Sequence, residues 1–309
     1  GKSGVVAYDL AGKKLWQTSV GTESGPMGWG SGASPLIYKN LVIVNASEEN
    51  EAIVALDKST GKQKWKAQAA GLGSCWGTPV LVKTKDRTDL VISVPNEIWG
   101  LNPDTGKLVW YADGLQSRTM CASLVVDKDV VIAVGGQGSG SIAVRCGGKG
   151  NVTKTHTVWT SQTSGRINTP VLFDGYVHWV GYGIVQCLAA KDGKTAYRKR
   201  LGGGGGNRAG GNPGGGSRGG GRFGGGGRQF GGGRFGGGQT YNSPIVVNGN
   251  IVMFTRNGTA HVYKGGKQFK LVSTNKLTDG SDFNASPAIA DGQMFIRSNK
   301  YLYCIEATR

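Results

Sequence analysis

The sequence predicts an all-β fold, a β-propeller of four-stranded antiparallel blades, seven when complete, with six or eight as alternatives. Three observations predict it. A unit of roughly 40 to 50 residues recurs along the chain, each copy places a glycine-centred turn at the same point, and helical periodicity is absent.

The unit opens on a small hydroxyl residue and a proline leading into an apolar run: Ser34-Pro35, Thr78-Pro79, Thr169-Pro170, Ser243-Pro244 and Ser286-Pro287, with Ala122-Ser123 as a degenerate copy. Proline is tolerated there because the first residue of a strand need not donate to the ladder. A second apolar strand follows, as in Leu41 to Asn45, Val130 to Val134 and Ile251 to Thr255. The third strand ends in a turn of the form Asp-x-x-x-Gly-Lys, and the fourth carries an aromatic residue, as in AIVALDKSTGKQKW from Ala52 to Trp65. Val5 to Trp16 and Ile98 to Trp110 repeat that pattern, and weaker copies place Trp159, Tyr197 and Phe269 at its last position. Glycines 12, 61, 106 and 193 suit the positive φ of a tight turn, and Asp57 and Asn102 suit Asx-type turns. The aromatics are expected to pack between neighbouring blades.

Five units contain all four strands, residues 4 to 19 supply a third and fourth strand alone, and residues 285 to 307 supply three. The expectation is therefore a single propeller over 1–309, incomplete at its N-terminus, with residues 202–238 inserted between blades as a flexible glycine-rich loop. A ring is expected to complete its last blade with a strand from the other chain end, because open edges invite aggregation.

These copies resemble the PQQ-like propeller repeat family, most specifically in the Ala-Leu-Asp-x-x-Thr-Gly-Lys-x-x-Trp signature at Ala55 to Trp65 and in the Ser-Pro inner strands. The resemblance covers nearly all of the chain outside the glycine-rich stretch. That family includes quinoprotein alcohol dehydrogenases, the outer-membrane-protein assembly lipoprotein of Gram-negative bacteria, sensor domains of bacterial kinases, and secreted proteins of planctomycete-like bacteria. It implies an extracytoplasmic location, periplasmic or secreted.

The resemblance also implies what a quinone enzyme of this family would need: adjacent cysteines, a tryptophan floor and a calcium-binding carboxylate set. No Cys-Cys pair occurs, and the acidic residues read as turn residues such as Asp57, Asp104 and Asp192, with no acidic cluster. No cofactor is therefore expected, neither PQQ nor calcium, and no metal. His156, His178 and His261 show no metalloprotease spacing, and there is no nucleophile elbow. His178 and His261 read as sheet residues. Cys146, Cys187 and Cys304 read as small buried hydrophobes, whereas Cys75 and Cys121 occupy consecutive loops, free or paired in a disulfide.

With 36 basic against 19 acidic residues, the net charge of +17 favours anionic partners or a solvated basic surface. The loops leading from one blade to the next open on the channel mouth and carry Trp29, Trp76, Arg118, Arg166, Tyr241 and Asp282. They read either as a ligand-binding channel face, gripping an anionic or planar group, or as a channel plug. The loop 202–238 holds 23 glycines with Arg208, Arg218, Arg222, Arg228 and Arg234. Three roles compete for it: passive spacer, contact with an anionic surface, and RNA binding, the last disfavoured outside the cytoplasm. Together these residues predict a non-catalytic binding or scaffolding propeller that presents its channel face and basic loop to a protein or anionic polymer. The alternatives are a quinone-dependent dehydrogenase and the sensor domain of a larger receptor or kinase.

Overall fold

A computed structural model of the chain describes residues 3–201 and 240–306. It is a β-propeller. Among the described residues the strands form seven sheets in chain order: sheet 1 (5–18), sheet 2 (36–68), sheet 3 (80–113), sheet 4 (125–161), sheet 5 (171–200), sheet 6 (245–276) and sheet 7 (288–305). Sheets 2 to 6 each hold four antiparallel strands, and sheet 3 adds a fifth, Gly150–Asn151, paired parallel to its strand Leu108–Asp113; sheet 1 holds two and sheet 7 three. In sheet 2 the order from inside outwards is Leu36–Tyr38, Leu41–Ala46, Ala52–Asp57 and Gln63–Gln68.

In sheets 2 and 3 side-chain chemistry fixes the third-to-fourth strand turn. Asp57 Oδ1 accepts the N–H groups of Ser59 and Thr60, both at 3.0 Å, and Asn102 Oδ1 accepts that of Asp104 at 2.8 Å. The expected Asx turns are present, and glycines 12, 61, 106 and 193 take φ between 68 and 81°. Just beyond each turn a β-bulge sets the register so that a small residue faces the aromatic: Ala7 with Trp16, Ala55 with Trp65, Ala143 with Trp159, Cys187 with Tyr197. In sheet 3 that small residue is Gly100, and a Cβ there would lie 2.0 Å from the Trp110 ring. Sheet 6 departs from the pattern. Ser273 occupies the aromatic position opposite Val262, while Phe269 lies in the preceding turn. There it still reaches back, packing on Tyr197 of sheet 5 at 5.6 Å between ring centroids.

The aromatics join sheets as the sequence predicts. Trp16, Trp65 and Trp159 each lay their ring on the turn glycine of the next sheet (Gly61, Gly106, Gly193), where a Cβ would come within 2.6 Å. Each also donates its indole N–H to a backbone carbonyl of that turn, on Lys58, Pro103 and Ala190. Trp110 does otherwise because sheet 4 has Gly147-Gly148 and an inserted excursion, Gly150–Asn151, at that place. Its indole bonds the fully buried Asp89 at 2.7 Å, whose carboxylate also receives Arg87 and the Gly147 N–H.

On the inner side the opening hydroxyl residues form a second set of ties. Each N–H donates to the hydroxyl of the corresponding residue in the next sheet: Ser34 to Thr78, Thr78 to Ser123, Ser123 to Thr169, Thr169 to Ser243, Ser243 to Ser286, at 2.8–3.0 Å. Ser123, the degenerate copy without proline, keeps its link. The core lies between sheets, from Ile43 and Trp65 through Leu90, Ile92 and Trp110 to Val131 and Val144.

Some expectations need correcting. Among the described residues two single-turn α-helices, α1 (Ser47–Asn50) and α2 (Thr153–His156), and a 3-10 turn, Ala70–Leu72, interrupt the strands, each too short to show a period in sequence. Cys146 and Cys187 are buried, but Cys304 is exposed, because Leu302–Ile305 is the outermost strand of sheet 7 and has no strand beyond it among the described residues. His178 and His261 are buried sheet residues. No helix of the described residues is long and apolar enough to cross a membrane.

Candidate functional site at the channel face

In an antiparallel meander the turns between second and third strands lie at the same end as the loops leading to the next sheet. The channel face is thus built from two kinds of loop, and the sequence reading considered one of them. Tyr182, Arg256 and α1 all sit in second-to-third turns.

Arg166, Tyr241 and Asp282 converge, joined by Arg256 and Tyr182. Arg166 follows Gly165, whose N–H bonds Gly135 O at 2.9 Å and whose missing side chain admits the buried Trp179 ring. Its guanidinium lies over the rings of Tyr182 and Tyr241, at 5.6 and 5.5 Å from their centroids. Arg256 lies over the Tyr241 ring as well, at 5.4 Å, and is held by Asp282 at 2.6 Å. Asn242 and Phe283, both buried, set these loops: Asn242 donates to Phe283 O at 3.2 Å, and Phe283 N–H donates to Arg256 O at 2.9 Å. Tyr182 is steadied by its hydroxyl bond to Gln137 at 3.1 Å. The result is one tyrosine ring served by two guanidinium groups, of which only Arg256 has a carboxylate partner among the described residues. Arg166 Nη1 is buried and has no hydrogen-bond partner among the described residues.

Trp29 and Trp76 form a separate pair, 5.1 Å between ring centroids. Trp76 is buried and donates its indole N–H to Gly30 O at 2.7 Å, so it pins the loop that presents Trp29, which is 61% exposed. Trp76 is a packed anchor of that loop, whereas Trp29 is an open aromatic surface. Arg118 is exposed and joins neither cluster. Arg208, Arg218, Arg222, Arg228 and Arg234, and the whole stretch 202–238, lie outside the described residues.

The loops carrying Cys75 and Cys121 are zipped together, Trp76 N–H to Met120 O at 2.7 Å and Met120 N–H to Ser74 O at 3.0 Å. Both thiols are free. Burial pushes Cys75 up to about 12. Cys121 is pushed up to about 11, chiefly by burial, with Glu48 raising it and Arg166 lowering it.

Acidic side chains nonetheless gather around α1. Glu48, Glu49 and Glu51, on and just after α1, line a cavity of about 340 Å³ together with Glu23. The run Ser47-Glu48-Glu49-Asn50-Glu51 carried the signal, but it reads as an ordinary solvated turn until Glu48 and Glu49 prove to be only 2% exposed. Among the described residues no three His, Cys, Asp or Glu side chains are grouped so as to hold a metal ion.

A family model described as outer membrane protein assembly factor BamB matches residues 1–199. Among solved structures, BamB from Moraxella catarrhalis is similar over 98% of this chain and 78% of its own, at 14% identity and a TM-score of 0.67. BBS1N, crystallised in complex with ARL6DN, is similar over 94% and 79%, at 13% identity and a TM-score of 0.57. No curated protein sequence matches. At such identities the structures speak for the fold; the matched model, over more than half of the residues, speaks for kinship. The chain belongs to the PQQ-like β-propeller family of outer membrane protein assembly factor BamB.

Proposed function

We propose that this protein is a non-catalytic scaffold, working outside the cytoplasm, that holds an acidic group of a protein partner at its channel face. The observation that carries the reading is the placing of both Arg166 and Arg256 over the Tyr241 ring, with Arg166 Nη1 buried and lacking an acceptor among the described residues. A buried guanidinium N–H without a partner is costly, and a carboxylate from outside would satisfy it with a charge-assisted bond. Trp29 supplies exposed apolar area on the same face, and aromatic and arginine side chains are the usual anchors of protein interfaces. The basic loop 202–238, on its composition alone, adds attraction for anionic partners by steering.

Fluorescence anisotropy with a labelled acidic octapeptide tests this. Arg166→Gln should weaken binding about tenfold, the scale of one charge-assisted bond, while Arg118→Gln should leave it near wild type. Equal binding by wild type and Arg166→Gln would remove the reading.

A further inference from the structure

We propose that the pocket formed by α1 and the loop around Gly25 binds the guanidinium or ammonium head of an arginine or lysine side chain presented by a protein partner. Glu48 carries the argument. It is 2% exposed; its Oε1 accepts the Ser74 N–H at 3.1 Å, and its Oε2 has no hydrogen-bond partner among the described residues. Buried carboxylates are ordinarily paired, yet burial raises the Glu48 carboxyl and the nearby Glu49 raises it further, against the lowering by the Ser74 N–H. The chain nevertheless builds this position with care. Asn45, buried, donates to the carbonyls of Cys75 and Gly77 at 3.0 and 2.9 Å and accepts the Ser47 N–H at 3.1 Å, which ties the start of α1 to the neighbouring loop. Gly25 closes over Glu48 so tightly that a Cβ there would sit 1.8 Å from Oε2.

The lining of the cavity, with Glu23, Glu48, Glu49 and Glu51 beside Ser47 and Gln68, offers carbonyl and carboxylate acceptors to an N–H-rich head group. With no metal-holding group of side chains there among the described residues, an organic cation fits this set better than a metal ion. The source in a protein partner rests on the scaffold reading above; the cation pocket itself does not.

The test is calorimetric titration of the full chain with N-acetyl-arginine amide, its neutral citrulline counterpart, an arginine-containing hexapeptide, and spermidine. Saturable binding of the arginine amide and the hexapeptide but not of citrulline is expected. Glu48→Gln should weaken both at least tenfold without lowering the melting temperature, since it removes an unpaired buried charge. Should that variant not fold, Glu23→Gln at the exposed rim should weaken them about threefold. Equal binding of citrulline, or binding unaltered in the variants, overturns the pocket; spermidine binding more tightly than the hexapeptide overturns the protein source. Arg166→Gln should leave arginine-amide binding intact, so failure of the acidic-peptide site and failure of this one are told apart.

Discussion

The backbone N–H of Thr78 donates to the Ser123 hydroxyl at 2.9 Å, across the gap between sheets 3 and 4. Because that N–H opens an inner strand, it has no ladder partner of its own, and the neighbouring sheet supplies one. This accounts for the hydroxyl residue before each proline: it accepts from the previous sheet while its own N–H reaches the next. Ser123→Ala should therefore destabilise the protein by about 1–2 kcal/mol, the cost of a half-buried donor left unpaired. Ser123→Thr should cost less, because the hydroxyl remains. Urea denaturation of the two variants measures the difference.

Gly100→Ala should be more damaging, by about 2–3 kcal/mol, because overpacking a filled core shifts its neighbours. The new Cβ would meet Trp110 at 2.0 Å, and the fully buried Trp110 ring is held by Asp89. Ala55 shows that alanine is accepted at the equivalent place in sheet 2, so the penalty comes from how Trp110 sits rather than from the strand position. A midpoint in denaturant equal to wild type would show that Trp110 can move aside.

Stability should fall as the pH drops from about 6.5 to about 4. Burial lowers His178 to about 4, and its neutral form is used on both sides: Nε2 accepts the Gly266 N–H at 3.3 Å, which leaves Nδ1–H to donate to the Tyr197 hydroxyl at 3.1 Å. In that window the unfolded chain binds a proton that the folded chain does not, so the folded state loses ground by up to about 3 kcal/mol. His261 is shifted in the same direction, also by burial, and adds a smaller share. Comparing wild type with His178→Gln at pH 7 and 4.5 should show most of the slope gone in the variant.

Thiol accessibility should follow the sheets. A disulfide-exchange reagent should modify Cys304 rapidly in the native protein, Cys121 slowly, and Cys75, Cys146 and Cys187 only after unfolding. Mass spectrometry of the native protein should find no Cys75–Cys121 bridge; finding one would contradict the free thiols of the zipped loops.

Much of the fold was legible because a repeat states its rule several times. The Asp-to-Gly turn, the aromatic that follows it and the opening hydroxyl each serve a contact between neighbouring sheets, and neighbours in space are neighbours in sequence. Phe269 shows where such reading slips: a four-residue difference moved the aromatic off the strand and into the turn, though it kept its partner Tyr197. The channel face was half legible. Arg166, Tyr241 and Asp282 could be found in the loops between sheets, but Arg256 and Tyr182 look like any turn residues. They matter only because second-to-third strand turns point to the same end. Glu48 was hidden for another reason, since nothing local to Ser47-Glu48-Glu49 signals burial; the loops of residues 23–25 and 73–74 create it.

The scaffold reading is tested most directly by site-specific photo-crosslinking in the native compartment. A benzoyl-phenylalanine placed at position 29, on the channel face, should capture a discrete protein partner, and the same probe at position 10, in the fully exposed turn of sheet 1, should not. Adding Arg166→Gln should abolish the position-29 adduct. Adducts of equal yield from both positions, or one at position 29 that survives the loss of Arg166, would contradict a partner held at the Arg166–Tyr241–Arg256 cluster.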